Sequence, residues 1–145
     1  MKECIFEPQS LVVKNYEKLN RCFIVETNDF VFLSMDGFVG WMIPKTKWIL
    51  GKLKFTPSTA NLENLLGNES DYVDTEIIGT VPDGKGKDLI VLKSGDEKTY
   101  IDKKLFEKSF PKKVSLKTNK PKTPVRVYDE LGLIGIIMPV NYKEG

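Results

Sequence analysis

The residues of this chain best suited to chemistry are lysines at helical spacing. Lys14 and Lys18 lie four positions apart in one apolar-periodic segment, and Arg21 follows just beyond its end. A second segment carries Lys103, Lys104 and Lys108. Cations on the helix face opposite the core can bind the phosphate backbone of nucleic acid without reading its sequence. The alternative is an ordinary solvated surface, because lysine is a good helix former and Glu17 and Glu107 interrupt the positive field.

Side chains for catalysis are scarce. The chain has no histidine, so it lacks the usual general base, the Ser-His and Cys-His nucleophile systems and the commonest zinc ligand. Residues 84–87 lack the spacing of a phosphate-binding loop, and the acidic group around Asp74 lacks the spacing of a calcium loop. A pair of carboxylates could still act as acid and base, although nothing singles one out. We predict a protein that is not an enzyme and uses no cofactor and no metal.

Composition fits one domain. The 145 residues are 41% hydrophobic and 10% aromatic, which is enough for a single core. The net charge is only +2, but residues 84–126 hold 13 basic residues against 5 acidic ones. Within this basic half, residues 117–126 form a loop with four positive charges that could follow phosphates. The two cysteines, Cys4 and Cys22, sit in apolar runs where a buried thiol is usual.

No targeting or membrane segment is evident in the sequence. The amino terminus lacks the long apolar stretch of a signal peptide, and no run approaches the ~18 apolar residues that cross a bilayer. We therefore expect a cytoplasmic protein without a membrane partner.

A glycine-punctuated apolar segment occurs twice. Residues 37–44 read Gly-Phe-Val-Gly-Trp-Met-Ile-Pro, and residues 132–139 read Gly-Leu-Ile-Gly-Ile-Ile-Met-Pro. Each copy follows an apolar-periodic helix and two short strand signals, so the pattern predicts a duplicated βαβββ unit. The predicted organisation is a single domain over 1–145, with repeat one at about 2–45, an insertion at 46–82 and repeat two at about 83–142.

Local signals place the helices and the remaining strands. Strands are expected at 21–27 and 30–34, and in the second half at 89–92, 98–101, 114–117 and 125–128. One helix is predicted at about 9–19, and a second begins at the N-cap Asp102 and ends before Pro111. The insertion is expected to contain a short helix that ends at Gly67 and a strand at about 76–81.

A tandem pair of such units resembles one domain of the DNA sliding clamp family, the processivity rings of replicative polymerases. The closest point is the carboxyl end, where residues 120–128 and then 135–140 look like the last two strands of a bacterial clamp, which end in a similar Met-Pro segment. The family usually has a basic residue after this segment, whereas this chain has Asn141. The resemblance implies an α+β fold of two tandem βαβββ repeats forming one DNA-clamp-like domain.

The resemblance also implies sites and partners. The helices would present lysine and arginine to double-stranded DNA, and the end of the last strand would border a cleft for a replication protein or peptide at Met138, Pro139 and Val140. The alternative for these three residues is that they simply complete the sheet. Trp48 is a further candidate for partner binding, because it stands among basic residues, whereas Trp41 fits a core position.

We therefore expect a clamp-like module that binds DNA, a replication-associated partner, or both. Its small, lysine-rich form suggests a phage or mobile element as the source. Six such domains make up a clamp ring, so one copy alone could not encircle DNA, and the oligomeric state is open. The alternative is an interaction adaptor that keeps the fold without binding DNA, in which the helix lysines pair with Glu7, Glu17 and Glu107.

Overall fold

The computed structural model describes residues 22–35, 38–47, 56–57, 66–119 and 123–142. The predicted first helix with Lys14 and Lys18 lies outside the described residues, and so do Arg21 and Trp48. The elements in chain order are β1 Cys22–Glu26, β2 Phe30–Met35, β3 Val39–Pro44, a 3-10 turn Lys45–Lys47, β4 Thr56–Pro57, a 3-10 turn Glu69–Asp71, β5 Val73–Asp74, β6 Glu76–Pro82, β7 Asp88–Ser94, β8 Glu97–Asp102, α1 Lys103–Ser109, β9 Ser115–Thr118, β10 Val125–Asp129 and β11 Gly132–Ile137.

The strands form two sheets. The larger has the order β4-β1-β2-β3-β11-β10-β9-β5, and the smaller has the order β6-β7-β8. All neighbours are antiparallel except β1 and β4, which are parallel. The described part of the chain is therefore a mixed, mostly antiparallel structure with one α-helix, and the predicted α+β class is confirmed at that level.

The larger sheet is built from two three-stranded meanders that meet at β3 and β11. Strands β1 to β3 form one meander and β9 to β11 form the other. At the junction Gly40 lies opposite Ile136, and Trp41 lies opposite Gly135. The two glycine-punctuated segments thus pair with each other, and each glycine faces the residue that follows the equivalent glycine in the other segment.

Both glycines at this junction are required by close approach. A Cβ added at Gly40 would lie 2.8 Å from Cε1 of the buried Phe32 ring, and its closest contact would be the tip of that ring. A Cβ at Gly135 would lie 2.7 Å from Cε1 of Phe110 and would collide with the carbonyl oxygen of Gly40. Any side chain at Gly135 would therefore push the two strands apart.

One apolar core joins the two sheets and the helix. It contains residues from the larger sheet, from the inner face of the smaller sheet and from α1, including Leu33, Trp41, Val127, Ile137, Ile90, Leu92, Ile101 and Phe106. A second cluster lies on the other face of the smaller sheet, where Leu89, Val91 and Tyr100 pack with Val81 and Tyr142. Alternating residues of β7 serve opposite faces, as expected for a strand covered on both sides.

The predicted insertion adds strands at sheet edges. Strands β4 and β5 lie at the two edges of the larger sheet, and β6 lies at an edge of the smaller one. Leu66 is helical and Gly67 has a φ of 64°, which agrees with the predicted helix end at Gly67. The rest of the predicted helix, from about residue 59 to residue 65, lies outside the described residues.

Gly135→Ala should lower the free energy of unfolding by about 1–3 kcal/mol, because the new methyl group overpacks the β3–β11 junction. The measurement is urea denaturation followed by tryptophan fluorescence, since the buried Trp41 lies opposite Gly135. Gly95→Asn is the matched control, because Gly95 has a left-handed φ of 58°, which asparagine tolerates, and no atom stands within 4 Å of its added Cβ. Equal stability of the two variants would contradict the close approach.

Candidate ligand-binding groove

Helix α1 is short and is held at both ends. Asp102 is its N-cap, with Oδ1 accepting a hydrogen bond of 3.0 Å from the backbone N–H of Leu105. At the other end the carbonyl oxygen of Ser109 accepts a hydrogen bond of 2.8 Å from Nε1 of Trp41. Phe106 and Phe110 point into the core, so the helix turns its lysines outward. The predicted N-cap, the helix that follows it and the core position of Trp41, which is 1% exposed, are confirmed.

The lysines of α1 have no charged partner in the described part of the chain. Lys104 and Lys108 are exposed and Lys103 is partly buried. None of the three forms an ion pair or hydrogen bond with Glu107 or with any other described residue. Glu7 and Glu17, the other predicted partners, lie outside the described residues. These cations are available to an anionic ligand.

The chain after β11 crosses from the larger sheet to the smaller one. The backbone N–H of Met138 donates to the carbonyl oxygen of Phe38 at 2.8 Å, and that of Val140 donates to Tyr100 at 2.7 Å. The rings of Tyr100 and Tyr142 lie 4.7 Å apart. The Met138 bond continues the β3–β11 register by one position, as the strand-completion alternative expects, and the chain then reaches the smaller sheet at Val140. Residues 138–142, called the C-terminal segment from here on, thus bridge the two sheets. Partner binding at Met138 to Val140 stays a prediction.

A groove of about 1160 Å³ separates α1 from the C-terminal segment. We call it the α1 groove. Its lining comprises Phe38, Gly86, Lys87, Asp88, Asp102, Lys103, Lys104, Leu105, Glu107, Lys108, Met138, Pro139, Val140 and Asn141. The two residue sets predicted from sequence for different ligands, the helix lysines for DNA and Met138 to Val140 for a partner, therefore share one groove. The lining combines apolar residues with cationic side chains.

Among the groove residues that sequence reasoning did not predict are Phe38, Leu105 and Lys87. Phe38 was assigned only to the repeated strand, but it lies in the turn before β3 and is 61% exposed. Leu105 packs against the core and also lines the groove. Lys87 was considered only within residues 84–87 as a phosphate-loop motif. The Asp36-Gly37 pair, a turn signal, was the one sequence feature that could have placed Phe38 outside the strand.

The loop from Asp83 to Lys87 sets one rim of the groove. The Asp83 Oδ1 accepts hydrogen bonds from the backbone N–H groups of Lys85 at 2.6 Å and Lys87 at 3.0 Å. These two hydrogen bonds, first that of Lys85 and then that of Lys87, lower the pKa of Asp83 below its ordinary value of 3.8. The Lys87 Nζ then lies 3.5 Å from Asp102 Oδ2, which connects the loop to the N-terminus of α1.

Arg126 does not serve a phosphate, which corrects the prediction for the basic loop that ends there. Its side chain is 5% exposed, and its guanidinium donates to the carbonyl oxygens of Leu66 at 2.7 and 3.0 Å and of Gly67 at 3.0 Å. It also donates to the Tyr128 hydroxyl at 3.1 Å and lies 4.5 Å from the Tyr72 ring centroid. Arg126 thus ties the backbone of Leu66 and Gly67 to β10.

Other lysines of that loop are either paired or outside the described residues. Lys117 Nζ lies 3.8 Å from Asp74 Oδ1 and 5.1 Å from the Tyr128 ring centroid. Lys120 and Lys122 lie outside the described residues, so their predicted role stays a prediction.

The described residues contain no group of three His, Cys, Asp or Glu side chains that could hold a metal ion. Among them there is also no helix with the length and apolar character needed to cross a bilayer.

Acid should release the Asp83 loop only below the ordinary pKa of an aspartate. Because the pKa is lowered in the folded state, the carboxylate stabilises the loop above 3.8, and this contribution is lost as the pH falls through the lowered value. The amide resonances of Lys85 and Lys87 in NMR spectra should stay constant until that range and then shift together. In the Asp83→Ala variant the two amide resonances should no longer shift together in this pH range. If they still did, the titrating group would not be Asp83.

Arg126→Lys should lower the free energy of unfolding by about 2–3 kcal/mol, because an ammonium cannot reproduce the fork of hydrogen bonds to two carbonyl oxygens and a hydroxyl. The same variant should leave DNA affinity unchanged, since the side chain is buried away from phosphate. Thermal unfolding and fluorescence anisotropy with labelled DNA measure the two effects. A variant that is as stable as the unchanged protein but binds DNA more weakly would show instead that Arg126 contacts phosphate.

Comparisons with protein-family models, with curated proteins and with solved structures gave no match to this chain. The α1 groove and its unpaired lysines are therefore the basis for a functional assignment.

Proposed function

We propose that this chain is a non-catalytic, clamp-like module that binds the phosphate backbone of DNA without reading its sequence and works with a replication-associated partner. The observation that carries the proposal is the display of Lys103, Lys104 and Lys108 on a groove in which none of them forms an ion pair with a described carboxylate. Unpaired lysines near one another create a local positive potential that attracts polyanions.

The clamp-like part of the proposal rests on the arrangement of the larger sheet. Two antiparallel meanders meet through equivalent glycine segments, as two tandem βαβββ repeats related by an approximate two-fold axis would. Helix α1 precedes the second meander, and the predicted helix with Lys14 and Lys18 would precede the first. In this proposal the two helices present their cations together, and several copies of the chain assemble around DNA.

We assign no catalytic role to the groove carboxylates, because they have structural partners or stand at the surface. Asp102 caps α1 and pairs with Lys87, whereas Asp88 and Glu107 are exposed.

The second candidate function is the interaction adaptor, and the apolar part of the groove favours it. Leu105, Met138, Pro139 and Val140 line the groove beside the lysines. A partner segment with apolar and acidic residues would match both features, and a methionine adapts readily to different ligands. This candidate predicts a groove that binds protein and has negligible affinity for DNA at physiological salt.

Replacing Lys104 and Lys108 by glutamine should weaken DNA binding and reduce the slope of log K against log salt by about 2, because each lysine that contacts a phosphate releases about one counterion. Fluorescence anisotropy at several salt concentrations measures the slope. Lys45→Gln with Lys93→Gln is the matched control, since it removes the same charge from exposed positions that do not line the groove.

The two pairs of substitutions separate the candidate functions. A large effect of the groove pair and little effect of the control pair supports DNA binding at α1. An equal effect of both pairs would mean that only net charge matters. No DNA binding by the unchanged protein, together with a light-scattering mass that DNA does not alter, would favour the adaptor.

A further inference from the structure

Phe38 is the most unusual side chain of the α1 groove. Its ring is 61% exposed, and it makes no ring contact within the described part of the chain. Its backbone is nevertheless fixed, because its carbonyl oxygen accepts the hydrogen bond from Met138 and β3 begins at the next residue. An aromatic ring on a fixed backbone beside lysines is a surface on which a flat, anionic ligand could stack.

We propose that the α1 groove binds single-stranded nucleic acid, with Phe38 as a stacking platform for a base and the lysines of α1 as contacts for the phosphates. This inference rests on the proposed DNA-binding function and specifies the form of the DNA. The bases of a single strand expose their flat faces, whereas those of a duplex are covered by stacking on both sides.

The shape of the groove favours a single strand over a duplex. A concave site of about 1160 Å³ exceeds the usual 300–1,000 Å³ of small-molecule pockets and can admit a short run of extended nucleotides. Lys103, Lys104 and Lys108 extend over about 7.5 Å of the helix axis, which allows contacts with successive phosphates along one strand.

The charge of the groove indicates that stacking must contribute to binding. Its lining holds four lysines and three carboxylates, and Lys87 is already paired with Asp102. The three lysines of α1 share the lining with Asp88 and Glu107, so the positive excess is small. Electrostatic attraction alone would give weak binding, and stacking on Phe38 together with contact to Met138 and Val140 supplies the part that salt does not screen.

The test compares Phe38→Ala and Phe38→Trp with the unchanged protein. The probes are a fluorescent oligo(dT) of about 12 nucleotides, a length within the range bound by single-strand modules, and a duplex of the same length. Phe38→Ala should weaken oligo(dT) binding about tenfold, whereas Phe38→Trp should retain it. Leu131→Ala is the matched control, because Leu131 is 96% exposed and does not line the groove.

The outcomes distinguish this inference from the proposed function. Tighter binding of oligo(dT) than of duplex, lost in Phe38→Ala but not in Leu131→Ala, supports the inference. Duplex binding that is as tight and does not depend on Phe38 overturns the inference and leaves the proposed function standing. No binding of either DNA, with Phe38-dependent binding of an acidic, leucine-containing peptide instead, overturns both in favour of the adaptor.

Discussion

The pairing of β3 with β11 is the constraint on which the rest of the described structure depends. It joins two meanders that lie far apart in the sequence, and it requires a backbone without side chains at Gly40 and Gly135. Phe110 fills the space beside Gly135, and Trp41 reaches from the junction to the carbonyl oxygen of Ser109. The position of helix α1 is therefore set by the same close approach that closes the sheet.

The α1 groove is a consequence of this junction. Strand β11 leaves the larger sheet beside β3, and the C-terminal segment then crosses to Tyr100 of the smaller sheet. Helix α1 lies along the other side, capped by Asp102 and connected to the Asp83 loop through Lys87. Apolar residues from the segment and cations from the helix reach the same space because α1 packs on the main core and the segment is hydrogen-bonded to both sheets.

Buried and exposed cations have different roles in this chain. Arg126 makes four hydrogen bonds to oxygen atoms and faces an aromatic ring, so its charge is compensated without a described carboxylate. A buried charge that is fully hydrogen-bonded stabilises local structure, whereas an exposed lysine without a partner keeps its charge for a ligand. Part of the basic character of the second half of the sequence is therefore structural, and the exposed lysines of α1 are left for the proposed binding role.

Local signals in the sequence were sufficient to predict the strands around the Asn28-Asp29 turn, the N-cap Asp102, the helix stop before Pro111 and the helix end at Gly67. Each depends on residues within a few positions, whose conformational preferences act without long-range contacts. The repeated glycine segments also indicated that two strands were equivalent. Only the tertiary structure decided that these two strands pair with each other and that the C-terminal segment meets the α1 lysines. It also decided that Arg126 is buried and Phe38 exposed. These features arise from packing between residues tens of positions apart, and the local sequence does not show whether a given side chain will be buried by such packing or left at the surface.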